Sequence, residues 1–355
     1  MRKVLLFLIL LSGIIVEPVF SQNDTIDSPL ISVDSLKKDF GLFTSDEILN
    51  LSFRFDITQY RRKKPKEEYM NAVLTYHINE KDSLNKEIKL RSRGVMRNEY
   101  CDFPPIRLNF GKTEFEKSDL EKIDKLKMVT HCKTGNEDYL LKEYLVYKLY
   151  NVLTDNSFRV RLVKVDYINT AKESKPIETY AFLIEPIEFL AERTKSTPIK
   201  PTNLTQKNII PEIMDRMAIF NYMIGNTDWS VPILQNCKVL SVLNINNPGL
   251  GVIVPYDFDY SGLVNTDYAI PFEGLNLKSV RERRYLGICR SEDVFINALK
   301  EFNDKKEEFY KVINDFPLLS AKTKKDMIGY LDTFYIRFDK RYTIVFDLLG
   351  GCIKF

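Results

Sequence analysis

The run Tyr139-Leu140-Leu141-Lys142-Glu143-Tyr144-Leu145-Val146-Tyr147-Lys148-Leu149-Tyr150-Asn151-Val152-Leu153 marks the point where the pattern of the chain changes. Leu141, Leu145 and Leu149 recur every fourth residue with Tyr144 and Tyr147 between them, which predicts a helix of about four turns. Upstream, the apolar residues alternate instead. Leu49, Leu51, Phe53, Phe55 and Ile57 are separated by Asn50, Ser52, Arg54 and Asp56, the period of a half-buried strand. After an exposed basic loop, Arg61 to Lys66, further strands are expected at Leu74-Tyr76-Ile78, at Ile88 with Leu90, at Ile106 to Phe110 behind Pro104-Pro105, and at Lys127 to His131.

Downstream of the helix, Phe158 to Tyr167 and Tyr180 to Ile184 read as two more strands, and Pro198 to Pro201 as a linker. Helical patterns then occupy roughly 204–225, 291–315 and 320–347, the last with Ser320 as N-cap. Turn residues and carboxylates concentrate between them, over 225–290. A β-rich first half and a helical second half predict an α+β chain of two lobes. The β-rich N-lobe with one long helix is expected over 41–197, and the helical C-lobe with the functional loops over 198–355.

Residues 1–21 are expected to be a cleavable signal peptide, followed by a polar leader over 22–40. Arg2 and Lys3 precede an apolar stretch from Val4 to Val16, which Glu17-Pro18 ends. Those thirteen residues would span about 20 Å as a helix, short of a hydrocarbon core of about 30 Å. The protein is therefore expected to be exported, to a periplasm or to the cell surface, with no transmembrane segment once the signal is gone. The net charge of +3 is too small to steer it toward nucleic acid. Five cysteines without a C-x-x-C pair, and two histidines (His77, His131), spell no zinc site. Export permits one or two disulfides with the pairing open, and the odd count leaves at least one thiol free.

Two segments carry candidate chemistry. Gly225-Asn226-Thr227-Asp228-Trp229-Ser230 follows an apolar helix and holds the only tryptophan. Val252-Ile253-Val254-Pro255-Tyr256-Asp257-Phe258-Asp259 runs an apolar strand into two carboxylates at i and i+2. On a strand both would leave one face about 7 Å apart, able to bracket a hard cation such as Mg2+ with a phosphate beyond it. Asn236 offers a neutral oxygen to the same site. The plainer readings are a solvated strand end for Asp257 and Asp259, and an Asx turn for Asp228.

A loop Asp, then an Asn, then a strand-end Asp is the order used in kinase phosphoryl transfer. Gly225-Asn226-Thr227-Asp228 resembles the catalytic loop of HipA-type kinases, and Pro255-Tyr256-Asp257-Phe258-Asp259 resembles the metal motif of CotH kinases. Arg93-Gly94 with Pro104-Pro105-Ile106-Arg107-Leu108 is similar to the CotH nucleotide segment, and Tyr180 to Leu190, with Glu185 inside it, to the end of the CotH N-lobe. The likeness implies a two-lobed, protein-kinase-like fold with ATP and Mg2+ as cofactors. It implies Asp228 as the catalytic-loop Asp, Asp257 as the principal metal ligand, and Asn236 and Asp259 as auxiliary ligands. No Lys stands plainly in the ATP-binding position: the matching strand offers Arg107, with Lys125 and Lys127 as substitutes. Glu143 would pair with that cation, although an exposed helical Glu is the reading weighted above it.

The chain departs from the family in having Ser230 where HipA-like loops carry His, and Asn236 eight residues after Asp228. The expected function is an exported atypical kinase acting on a hydroxyl of an unknown acceptor, protein or glycan. The alternatives are a kinase-shaped pseudoenzyme serving as a surface or periplasmic binding module, and an Asp-x-Asp metal-dependent glycosyltransferase. Arg281-Glu282-Arg283-Arg284 reads as a salt-bridged surface run rather than a substrate clamp.

Overall fold

The structure is a computed structural model, and it describes residues 42–77, 83–111, 124–200, 202–242, 250–340 and 343–354. The expected signal peptide and polar leader lie outside these residues. Seven strands come first: β1 (Leu49–Phe55), β2 (Met70–His77), β3 (Ser83–Ser92), β4 (Ile106–Asn109), β5 (Lys125–Val129), β6 (Val160–Asn169) and β7 (Ile177–Ile184). They close into a barrel in the order β1-β2-β3-β4-β5-β7-β6. Every pairing is antiparallel except the closing one, where β1 lies parallel to β6 with Leu51 opposite Val165 and Phe53 opposite Tyr167.

Period-two alternation decides which side chains fill the barrel. Leu51, Phe53 and Phe55 from β1, Val163, Val165 and Tyr167 from β6, and Ala181 and Leu183 from β7 form its interior. Their chain neighbours Leu162, Phe182 and Ile184 belong to a second core outside the barrel. β6 and β7 are thus buried on both faces, which explains their nearly unbroken apolar runs.

The helices are α1 (Ile57–Lys63), α2 (Met96–Tyr100), α3 (Glu137–Leu153), α4 (Ile187–Arg193), α5 (Pro211–Ile224), α6 (Glu292–Asp304), α7 (Lys306–Asn314), α8 (Ala321–Asp339) and α9 (Thr343–Gly351). A three-stranded sheet, ordered β10-β9-β8, adds β8 (Ser196–Ile199), β9 (Cys237–Val242) and β10 (Gly251–Pro255). α3 covers β6 and β7, and its Leu145, Leu149 and Leu153 share one continuous core with α5, β9, β10 and α6 to α9.

This architecture corrects the expected fold class. The chain is not a two-lobed, protein-kinase-like α+β molecule with a helical C-lobe. Its strands form a closed barrel, its second half carries its own sheet and the long irregular stretch 256–290, and the core around α3 joins the two halves. The parallel β1–β6 pairing joins residues more than a hundred positions apart, which no local periodicity encodes. Two local expectations change as well. Ile57 starts α1 instead of ending β1, because the Asp56 carboxylate accepts the Gln59 N–H at 2.7 Å and caps a helix there. Arg61, Arg62 and Lys63, expected in a loop, form the last turn of that helix.

Candidate functional site

Glu143 and Tyr147 stand one turn apart on α3 and face the loop that leaves β10. The Asp257 N–H donates to the Tyr147 hydroxyl at 2.8 Å, and the Phe258 ring packs edge-on against Tyr147 at 4.8 Å. Asp257 adopts φ +65°, a left-handed conformation uncommon for a non-glycine residue. That turn, rather than the strand alternation expected for i and i+2 residues, folds Asp257 and Asp259 together. Oxygens of Glu143, Asp257 and Asp259 lie within 4.8 Å of one another.

A single guanidinium serves this cluster. Arg97 of α2 donates from Nε to Asp259 Oδ2 at 2.7 Å and from Nη2 to Glu143 Oε2, and its Nη2 lies 3.7 Å from Asp257 Oδ1. Tyr268 donates its hydroxyl to the same Asp259 Oδ2 at 2.8 Å. Glu143 is 1% exposed, and its Oε1 has no hydrogen-bond partner among the described residues. Burial pushes the Glu143 carboxyl up to about 8 against the pull of Arg97. Asp257 is also raised, by burial and then by the Asp259 carboxylate within hydrogen-bonding reach. With all three ionised, the carboxylates would outnumber the Arg97 guanidinium, and a bound divalent cation would favour that ionised form over the protonated one that burial favours for Glu143. The donors are all oxygen, which suits a hard cation such as Mg2+ or Ca2+.

Asp228 sits at the edge of this field on a loop fixed at both ends. Gly225 ends α5 at φ +67°, and a Cβ there would come 2.0 Å from the Tyr330 hydroxyl, so this close approach requires glycine. The buried Asn226 side chain bonds Asn221 at 2.9 Å and accepts the Asp228 N–H at 3.0 Å. Gly225 O and Ile224 O accept the N–H groups of Gly262 and Leu263, stitching this loop to the one after Asp259. The Asp228 carboxylate takes an amide from Asn236 at 2.7 Å and another from Gln235. Burial raises it to about 6, with Asp257 and Asp259 adding to the shift and the two amides opposing it.

Three cations line up across the barrel strands, and one of them, Lys127, reaches the field of Asp257. Arg91, Arg107 and Lys127 are direct cross-strand partners on β3, β4 and β5. Like charges placed directly opposite are destabilising, and Arg91 relieves this by turning to the Lys66 carbonyl at 2.5 Å and the Tyr69 ring at 4.9 Å. Lys127 Nζ sits 4.9 Å from the Tyr256 ring, and Lys238 Nζ 5.4 Å from the same ring. Burial, followed by Arg93 and Lys238, lowers Lys127 to about 7, while Asp257 pulls it up.

The structure therefore gathers Glu143, Asp257 and Asp259, places Asp228 and Lys127 beside them, and sets Arg107 one strand further out. Asn236 holds Asp228 through its amide nitrogen. Glu143 pairs with Arg97 rather than with a lysine, and it is buried rather than exposed. Arg97, Gln235 and Tyr268 were not among the expected site residues, and Tyr147 was expected only as part of a helix. Gln235 had a signal in its adjacency to Asn236, whereas Arg97 lies in a five-residue helix with no pattern around it.

Other candidates are structural. Glu185 is held by Arg193 at 2.8 Å and by the Arg159 N–H. His77 bonds Ser52 at 2.7 Å. His131, lowered to about 4 by burial, packs against Phe103. Arg281 pairs with Asp326, and Arg283 donates to Tyr330 O and Thr333. Two disulfides form, Cys101–Cys132 and Cys289–Cys352, and Cys237 is free and buried. No protein-family model matches the chain, and no curated protein matches it.

Proposed function

We propose that this chain is an exported, divalent-cation-dependent phosphotransferase that moves a phosphoryl group from Mg2+-ATP to a hydroxyl of a protein or glycan acceptor. The observation that carries the reading is the Glu143–Asp257–Asp259 cluster, with Glu143 and Asp259 buried, Asp257 open to solvent on one side, and Glu143 Oε1 without a hydrogen-bond partner among the described residues. A bound cation would neutralise phosphate charge there. Asp257, Asp259 and Glu143 would hold it, and Lys127, Arg107 and Lys238 would bind the phosphates of the donor. Asp228, clamped by two amides, would orient the acceptor hydroxyl and take its proton as the new P–O bond forms and the donor's terminal P–O bond breaks.

Two disulfides in one chain support an oxidising compartment, hence export. Among the described residues no helix is long and apolar enough to cross a membrane.

A thermal-shift titration with ATP, with and without Mg2+, on the native protein and on Asp257→Ala tests the reading. A Mg2+-dependent rise in melting temperature that disappears in the variant is expected. No shift at millimolar ATP overturns it. The second reading would then take its place, a surface or periplasmic binding module whose carboxylates serve only Arg97. The ion pairs that Arg97 makes with Glu143 and Asp259 are what favour that alternative.

A further inference from the structure

We infer that Tyr268, seated against the Cys101–Cys132 disulfide, is a positioning residue for the cation-binding carboxylates, and that this disulfide holds both donors that orient Asp259. The inference rests on the divalent-cation reading above. Asp259 Oδ2 accepts twice, from Arg97 Nε at 2.7 Å and from Tyr268 Oη at 2.8 Å. The two donors come from separate segments of the chain, and the same bridge touches both.

Arg97 belongs to α2, five residues long and without a side-chain cap. A helix that short does not hold itself. Cys101 follows it directly and donates its N–H to Arg97 O at 3.0 Å, so the bridge to Cys132 anchors the turn that aims Arg97. Cys132 is anchored in turn to the barrel side, where its carbonyl accepts the Phe103 N–H at 2.9 Å. On the other side, Tyr268 packs on Cys101 and Cys132, with the Tyr100 ring at 4.8 Å and the Tyr260 ring at 5.9 Å.

Oxygens of Asp259, Asp257 and Glu143 lie within 4.8 Å of one another, and with Asp259 Oδ2 doubly satisfied by protein donors, Oδ1 is the oxygen left for a cation. Tyr268 touches neither cation nor substrate in this arrangement and acts through Asp259. Partners that orient ligating groups typically change cation affinity by 10- to 100-fold when removed.

The test is calorimetric titration of the full-length chain with Mn2+, run on the native protein, Tyr268→Phe, the double variant Cys101→Ser/Cys132→Ser, and Cys289→Ser/Cys352→Ser as a control bridge. Tyr268→Phe keeps the ring and the disulfide and removes only the hydroxyl. Its Mn2+ affinity is expected to fall about tenfold or more, with the cation-free melting temperature little changed. The Cys101/Cys132 variant is expected to lose at least as much, and the control bridge variant to bind as the native protein does. If native protein binds Mn2+ and Tyr268→Phe binds it equally well, the inference is overturned while the cation site stands. If native protein binds no Mn2+, the cation reading fails and the inference goes with it. If the Cys101/Cys132 variant does not fold, Tyr268→Phe decides alone.

Discussion

Asp228 is ionised only against the opposition of its surroundings. Burial comes first and the carboxylates of Asp257 and Asp259 second, and together they bring it up to about 6. A group that must accept a proton works as the carboxylate, so transfer activity should fall as pH drops through about 6. A cation on the triad would cancel the charges that raise Asp228. The acid limb is therefore expected to move to lower pH as Mg2+ is raised from limiting to saturating. Paired pH–rate profiles at the two Mg2+ levels check this, and a limb that stays fixed would remove Asp228 as its source. Asp228→Asn should lower transfer by about 10^2- to 10^4-fold with Mn2+ affinity retained. Gly225→Ala, at φ +67° and in the path of the Tyr330 hydroxyl, should destabilise the fold by roughly 2–4 kcal/mol in denaturant titration.

Between elements, the decisive contact joins α2 to α3 through Arg97 and Glu143. Removing one member of a buried, hydrogen-bonded ion pair strands the other without compensation. Arg97→Met should therefore cost about 3–5 kcal/mol of unfolding free energy, and adding Glu143→Gln to it should recover part of the loss. A native denaturation midpoint in Arg97→Met would show that the pair contributes nothing to the fold. How this site reads from sequence follows from the same contacts. The α3 helix was legible because Leu141, Leu145 and Leu149 repeat locally, and Asp228, Asp257 and Asp259 because polar turns beside apolar runs stand out. The burial of Glu143 was not legible, since it depends on α2 arriving from a distant turn. The approach of Asp257 to Asp259 was misread because a left-handed residue breaks the strand alternation. The barrel strands were visible one at a time, but their closure was hidden, because it rests on a parallel pairing between β1 and β6 that leaves no local mark.

At the scale of the whole molecule, the two cores share a wall. Leu162 and Val163 are chain neighbours on β6 that face opposite cores, as are Phe182 and Leu183 on β7. Melting the barrel therefore strips the helical layer of the surface that α3 covers, and losing the helical layer exposes the outer face of β6 and β7. The Cys289–Cys352 bridge tightens that layer, tying the end of α9 to the segment that enters α6 across a separation of 63 residues. Closing a loop of that length removes unfolded-state entropy worth about 4 kcal/mol, so Cys289→Ser/Cys352→Ser should lose stability of that order. Trp229, the only tryptophan, is buried one residue from Asp228 and reports on the helical layer and the site loop. Far-UV circular dichroism reports on the barrel as well. With a shared wall, the two signals should follow one transition in denaturant, in the native protein and, at lower denaturant, in the bridge variant. Two lobes with separate cores would instead give Trp229 and the dichroism signal different midpoints. Such a separation would mean that β6 and β7 can keep their barrel interior while their outer face is bare, and α3 would then no longer be what couples the site to the fold.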